Sequence, residues 1–180
     1  MEYFLLKSSV KTPLSPIIRE NTNYPYRLTE ENYNSLPKSG VYNYFYKEDI
    51  EKPELLTQPT FMLGDSLKSI ISLYDDSIEW KSFHVLPVEG ERVLEEKVLE
   101  ESKHYWIPKL SRMKCLHPDV EFQPNGAVTT LILDKNRLRN VDIFQAEETQ
   151  ENYILVSLAL AESISRRHPY GVRLERVEVR

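Results

Sequence analysis

Apolar positions recur at helical or strand spacing along most of the chain, and the clearest pattern lies in its last quarter, echoed about ninety residues earlier. Phe61 to Ile71 brings Leu67, Ile70, Ile71 and then Tyr74 onto one helical face, with Asp65 or Ser66 placed to cap the helix. Asp75-Asp-Ser77 ends that helix, and Ile78 to Val88 reads as a strand through Trp80, Phe83 and Val85. About ninety residues later, Ile154 to Ile164 reads as an apolar lead into a second helix. This helix is capped by Ser157 and closed near Arg166-Arg-His168, with Pro169 and Gly171 as the stop. Gly171 to Val179 follows as a partly alternating strand. Sliding one segment onto the other aligns Leu67 with Leu160 and Ile71 with Ile164. With one residue inserted, Ile78, Trp80, Phe83 and Val85 align with Val172, Leu174, Val177 and Val179. A weak internal helix–strand repeat is one explanation of this match; a chance likeness between two amphipathic units is the other.

Shorter elements fill the rest. Tyr3-Phe-Leu-Leu6 reads as a strand, and Thr29-Glu-Glu-Asn as the start of a helical turn. Val41 to Tyr46 is rich in β-formers. Glu91 to Lys103 has Leu94 and Val98 at helical spacing and reads as a helix. His104 to Ile107 and Met113 to Leu116 read as strands, and Pro124-Asn-Gly126 as the turn of a hairpin. Asp134 to Leu138 is a turn, and Ile143 to Ala146 a strand. Pro13, Pro16, Pro25 and Pro37 punctuate the first part. Residues 1–60 are therefore expected to be an irregular, extended wrap packed on a core, and 61–180 an α+β domain, the whole forming one globular unit. The expected fold class is α+β, with a mixed or antiparallel sheet and two main helices.

Composition narrows the function classes. At 180 residues the chain can bury a real core. Its net charge of −5 argues against a nucleic-acid partner. One cysteine, Cys115, excludes an intrachain disulfide. The start, Met1-Glu-Tyr-Phe-Leu-Leu-Lys, is neither a signal peptide nor a membrane span, which points to a cytoplasmic protein without membrane partners.

Motifs for catalysis are missing: there is no phosphate-binding loop, dinucleotide fingerprint, nucleophile elbow or His-Glu-x-x-His. His104, Cys115 and His117 could hold a metal with one further ligand, and Cys115 with His117 could pair as nucleophile and base. Neither set has the spacing or third group that such a site needs, and packed or surface residues are the plainer reading. No cofactor, metal or enzymatic activity is expected. Arg166, Arg167, Arg173 and Arg176 read as charge-balancing or helix-capping residues.

Two features suit a protein partner. Acidic residues gather at Glu89 to Glu101, with a second group at Glu147, Glu148 and Glu151. Tyrosines recur at 24, 26, 33, 42, 44 and 46. The candidate partner-binding residues are Tyr42, Tyr44 and Tyr46 as aromatic anchors and Glu91, Glu95, Glu96 and Glu100 as steering charges. For each set a plainer reading stands beside it, core packing for the tyrosines and a solvated face for the acids.

From His104 onward the chain resembles a family of bacterial immunity proteins associated with polymorphic toxins, the immunity family numbered eleven. The resemblance rests on Tyr105-Trp106-Ile107, Cys115-Leu-His-Pro-Asp119, Leu131-Ile-Leu-Asp134, Ile143-Phe144, Val156-Ser157 with Ala161, and Gly171-Val-Arg-Leu-Glu175 with Val177. Phe61 to Val88 looks like the family's first helix–strand unit, so the likeness covers roughly residues 61–180, and residues 1–60 lie outside it. It implies an antitoxin that binds a cognate toxin domain in the same cell. The alternative is a small ligand-binding protein or enzyme with a pocket between the two helix–strand units.

Overall fold

The computed structural model describes residues 1–11, 13–17 and 28–180. Tyr24, Pro25 and Tyr26 lie outside them. In chain order the elements are β1 (Tyr3–Ser8), β2 (Pro16–Ile17), α1 (Glu30–Ser35), β3 (Ser39–Phe45), β4 (Leu55–Leu56), β5 (Met62–Gly64), α2 (Asp65–Ile71), β6 (Trp80–Glu89) and β7 (Arg92–Val93). A 3₁₀ turn (Glu95–Lys97) leads to α3 (Val98–Glu101), β8 (Lys103–Pro108), β9 (Arg112–Met113), β10 (Ile132–Leu133), β11 (Ile143–Ala146), β12 (Ile154–Ser157), α4 (Leu158–Arg167) and β13 (Val172–Val179). The fold is α+β. One sheet runs β10-β13-β1-β12-β11-β9; the other runs β2-β3-β6-β8-β5-β4, with β7 beside β6.

The two sheets share a common arrangement, β3-β6-β8-β5-β4 in one matching β10-β13-β1-β12-β11 in the other. In the second, β5, α2 and β6 form a helix-linked pair, and β8 lies between the two strands, antiparallel to both. In the first, β12, α4 and β13 form the same pair around β1. Outside them, β3 runs parallel to β6 as β10 does to β13, and β4 is antiparallel to β5 as β11 is to β12. Registers agree as well. Tyr105 faces Gly64 and Phe83, and Tyr3 faces Ser157 and Val177. Phe83 with Val177, Trp80 with Leu174 and Leu67 with Leu160 are therefore equivalent positions, as the sequence alignment has them. Each is a split β–α–β unit. The strand that completes each unit differs in origin: β8 follows β6 in the chain, whereas β1 comes from the opposite end of the chain from β13.

Polar details repeat too. The Tyr105 hydroxyl donates to the Pro53 carbonyl at 2.7 Å, and the Tyr3 hydroxyl to the Val141 carbonyl at 3.2 Å. Gly64 N–H donates to Glu54 O, and Ser157 N–H to Asp142 O, both at 2.8 Å. Each helix thus starts beside a carboxylate: Glu54 accepts from Ser66 N–H at 3.1 Å, and Asp142 accepts from the Ser157 hydroxyl at 2.5 Å. Negative charge suits the positive end of a helix. Burial would raise the Glu54 pKa, but hydrogen bonds from Lys103 and Ser66 hold it below the usual carboxylate range.

The caps differ from the sequence expectation in one case. Ser157 caps α4 through its side chain, which accepts from Leu160 N–H. The N-cap of α2 is Gly64 rather than Asp65 or Ser66, because Glu54 from a distant segment occupies that place. A Cβ on Gly64 would meet the Glu54 carboxylate at 2.4 Å. Gly171, in the turn between α4 and β13, has φ 76°, which favours glycine, and packs on Pro53.

Three further expectations are corrected. Among the described residues before position 60, β1 lies inside one sheet and β3 pairs over its whole length with β6 in the other, so these strands belong to the sheets rather than to a wrap around them. Glu91 to Lys103 is not one helix but β7, a 3₁₀ turn and the four-residue α3, since only two apolar positions gave it a helical face. The turn at Asn125-Gly126 forms, but its arms share only the isolated bridge Phe122–Val128.

One core joins Leu67, Ile70 and Ile71 of α2, Leu160 and Ile164 of α4, and the facing side chains of both sheets; a second lies under residues 113–141 and contains Cys115 and Phe144. Among the described residues no helix is long and apolar enough to cross a membrane. Leu67→Ala and Leu160→Ala occupy equivalent, fully buried places. Each is expected to cost about 2–5 kcal/mol in denaturant unfolding. A loss under about 1 kcal/mol at either position would show that its helix contributes little to the shared core.

Candidate functional site: the open face of the second sheet

For Tyr42 and Tyr44 of β3 and for Tyr46 just after it, two readings stood open, partner contact and core packing, and their burial fits core packing. Tyr42 and Tyr44 are 1% and 0% exposed, and Tyr46 is half-buried beside them. The Tyr44 hydroxyl donates to the Glu101 carbonyl at 2.8 Å, and burial pushes its pKa up to about 12. These tyrosines are core residues, so Tyr44→Ala would empty the core rather than trim a contact. A period of two puts three residues on one face but does not say which face is wet. The wet side is that of Val41, 53% exposed, and Phe45, 55% exposed.

Across this face the ladder sets Ser39 beside Ser82 and Trp106, and Val41 beside His84 and His104. Helix α2 covers only part of it. The imidazoles of His84 and His104 stack at 4.5 Å with a 10° interplanar angle, and Trp106 lies 4.4 Å from His104. Lys68 from α2 sits 3.4 Å above the Trp106 ring. Asp65 Oδ1 accepts from Trp106 Nε1 at 2.6 Å and lies 3.3 Å from His104 Nδ1. On its other side His104 Nε2 is 2.8 Å from the Ser82 hydroxyl.

Asp65, His104 and Ser82 therefore form a carboxylate–imidazole–hydroxyl relay. Such a relay catalyses acyl transfer when donors are also free to hold an oxyanion. Here Ser82 N–H is spent on Lys38 O at 3.0 Å, and β6 is flanked by β3 and β8, which take up its backbone donors. The relay thus sets a hydroxyl beside an imidazole, with the Ser82 N–H already engaged in the sheet.

The other unit serves as an internal control. Arg176 and Glu2 hold the positions equivalent to Ser82 and His104, and they form an exposed ion pair. Phe4 and Glu178 stand at the places of Trp106 and His84, and Ile132 at that of Val41, so an aromatic and an aliphatic residue recur and the comparison sets apart only the Ser82–His104 contact.

The predicted acids are exposed. Glu91, Glu95, Glu96 and Glu100 make no ion pair with a described residue. They lie along the segment that leaves the end of β6 next to Phe45, and Leu99 stands among them at 96% exposure. Arg166, Arg173 and Arg176 are matched by Glu162, Glu175 and Glu2.

The candidate metal and thiol sets are not brought together. His104 belongs to the relay, whereas Cys115 is fully buried in the second core and its thiol is pushed up to about 12 by burial and then by Glu148. His117 Nδ1 accepts from Asp119 N–H at 3.2 Å. A cavity of about 510 Å³ opens between the units, bordered by Tyr33, Asp75, Lys109, Arg112, Gln145 and Glu147. Comparison with known proteins gives no match, either to a family model or to a curated protein.

Sequence reading missed the relay because Asp65, Ser82 and His104 come from three elements, and only pairing of β6 with β8 brings them together. The one visible signal was the alternation Ser82–His84 and His104–Trp106 on two strands of opposite sense.

Two measurements probe the site. Burial is the largest influence on His104 and lowers its pKa; Asp65 opposes this, while His84 and Lys68 act in the same direction as burial. The unfolded chain, with a pKa near 6.5, then binds the proton first, so this group's contribution to stability is complete above 6.5 and lost as pH falls below it. The melting temperature should drop between pH 7.5 and 5.5, and less so in His104→Gln; parallel curves for the two proteins would remove His104 as the cause. Cys115 should resist alkylation in the folded protein at pH 8 and react on unfolding, as quantified by intact mass.

Proposed function

We propose that this protein is a stoichiometric protein-binding module, an antitoxin of the immunity type, that docks its partner on the open face of the second sheet. The observation that carries the reading is that face itself: Val41 and Phe45 are exposed in line with the His84–His104–Trp106 stack, whereas Ile132, at the place of Val41 in the other unit, is buried. Exposed aromatic and aliphatic side chains gathered on one face suit the centre of a protein interface. The carboxylates of Glu91, Glu95, Glu96 and Glu100, without an ion-pair partner among the described residues, border its end and favour a partner with a basic rim, drawn in by long-range attraction. The resemblance to immunity proteins agrees with a role fulfilled by binding alone, in the cytoplasm where the toxin is made.

The cavity between the units favours a second reading, ligand binding, which is compatible with the first.

Affinity capture from native cells, followed by mass spectrometry, tests the binding role. The expected result is one stoichiometric partner bearing a toxin domain. Phe45→Asp and Val41→Asp should each weaken its binding about tenfold or more while leaving circular dichroism unchanged. Reversing Glu95 and Glu96 to Lys should slow association, with the effect shrinking as salt is raised. Recovery without any protein partner would overturn the antitoxin reading; a partner held equally well by the Val41 and Phe45 variants would remove this face.

A further inference from the structure

At the outer edge of the first sheet, β9 and the loop 137–141 enclose a cavity of about 330 Å³ walled by Arg112, Lys114, Arg137, Arg139 and one carboxylate residue, Glu147. Four cations around one small hollow are unexpected in a chain whose net charge is −5. Their pairing adds to this. Arg137 is committed to Asp134 at 3.3 Å and Glu148 at 3.6 Å. Arg112, Lys114 and Arg139 have no carboxylate partner among the described residues, although the acidic side chains of this protein outnumber its basic ones.

Arg112 is the fixed point. Its backbone is locked into the sheet, with Gln145 N–H bonded to Ser111 O and Glu147 N–H to Met113 O, both at 2.9 Å. Its side chain is half-buried and makes one long hydrogen bond, from Nη2 to Glu147 O at 3.4 Å. Its Nε is shielded from solvent and has no acceptor. A buried guanidinium donor without a partner costs stability unless something else accepts from it. The same side chain also borders the larger cavity between the units, so a ligand held here can extend toward that space.

We propose that this cavity is a binding site for a small phosphate monoester. A dianionic group matches three uncommitted cations better than a single carboxylate does, and a guanidinium fork fits phosphate oxygens with two parallel hydrogen bonds. The volume lies at the lower end of ligand cavities, which suits a phosphorylated small molecule. A nucleic-acid strand needs a continuous basic track, and a net charge of −5 argues against one.

The test uses the full-length protein with inorganic phosphate and O-phosphoserine as probes, titrated calorimetrically at constant ionic strength, with chloride as the balancing anion. Saturable binding of both probes is expected. Lys114→Gln and Arg139→Gln, at exposed side chains that the fold does not use, should each weaken it about tenfold, and Arg112→Gln more. Absence of saturation at millimolar probe, or unchanged affinity in both the Lys114 and Arg139 variants, would overturn the site. Because the cavity lies in the other unit from Val41 and Phe45, Phe45→Asp should leave probe affinity unchanged, which separates this site from the partner-binding face.

Discussion

Strands β1 and β8 each lie between two strands that run parallel to one another, and each hydrogen-bonds to both. The rest of the molecule depends on that insertion. A helix that links two strands of one sheet needs room to cross, and an antiparallel strand between them provides it while satisfying the backbone groups on both sides. The inserted strand also positions a tyrosine, Tyr3 or Tyr105, whose hydroxyl holds the chain just ahead of β11 or β4. That same stretch carries Asp142 or Glu54, the carboxylate at the start of the helix. Strand register, tyrosine tether and helix start are therefore linked, and a slip in the inserted strand would disturb all three. In the first sheet the insertion joins residues from opposite ends of the chain, a closure of long sequence separation that is slow to form.

Local pattern made some of this legible. Leu67 and Leu160, and Phe83 and Val177, were aligned from spacing alone because each helix has to bury one stripe and each following strand one face, and these demands leave a periodic trace. The pairing that proves the likeness is nonlocal. Nothing between Tyr3 and Ser8 says that this strand will lie between β12 and β13, and the prolines that follow it suggested a wrap. Tyr42 and Tyr44 were placed on one strand face with core and interface both open, since alternation fixes parity and only the neighbouring layer fixes direction. Gly64 became a helix cap because Glu54 reaches it from outside the helix, a contact that no capping pattern within the segment could reveal.

The likeness of the two units gives each the role of reference for the other. Where they agree, as at the tyrosine tethers, the residues answer to the fold. Where they differ, the fold does not explain the choice. The Ser82–His104 contact takes the place of a plain ion pair, Arg176–Glu2, and unlike that pair it belongs to a stack of rings, His84–His104–Trp106. Its central imidazole is held between Asp65 and Ser82, so its orientation is set from both sides. An oriented, partly buried ring beside Val41 and Phe45 is a preorganised surface, and preorganisation lowers the ordering cost of binding.

Charge points to the same division of labour. The uncommitted acids lie on the segment after β6, at the border of the open face in the unit formed by β3 to β8. The uncommitted cations Arg112, Lys114 and Arg139 lie at the far edge of the other sheet. Had both sets served only solubility, dispersal and mutual pairing would have been the cheaper arrangement, as the Arg176–Glu2, Arg173–Glu175 and Arg166–Glu162 pairs show elsewhere on the surface. Separation of unpaired charge by sign costs self-repulsion within each cluster, and a ligand or partner of opposite sign at each place relieves it. The two clusters therefore call for different occupants, a basic surface at one and a small anion at the other, carried on two units whose shared core keeps them apart.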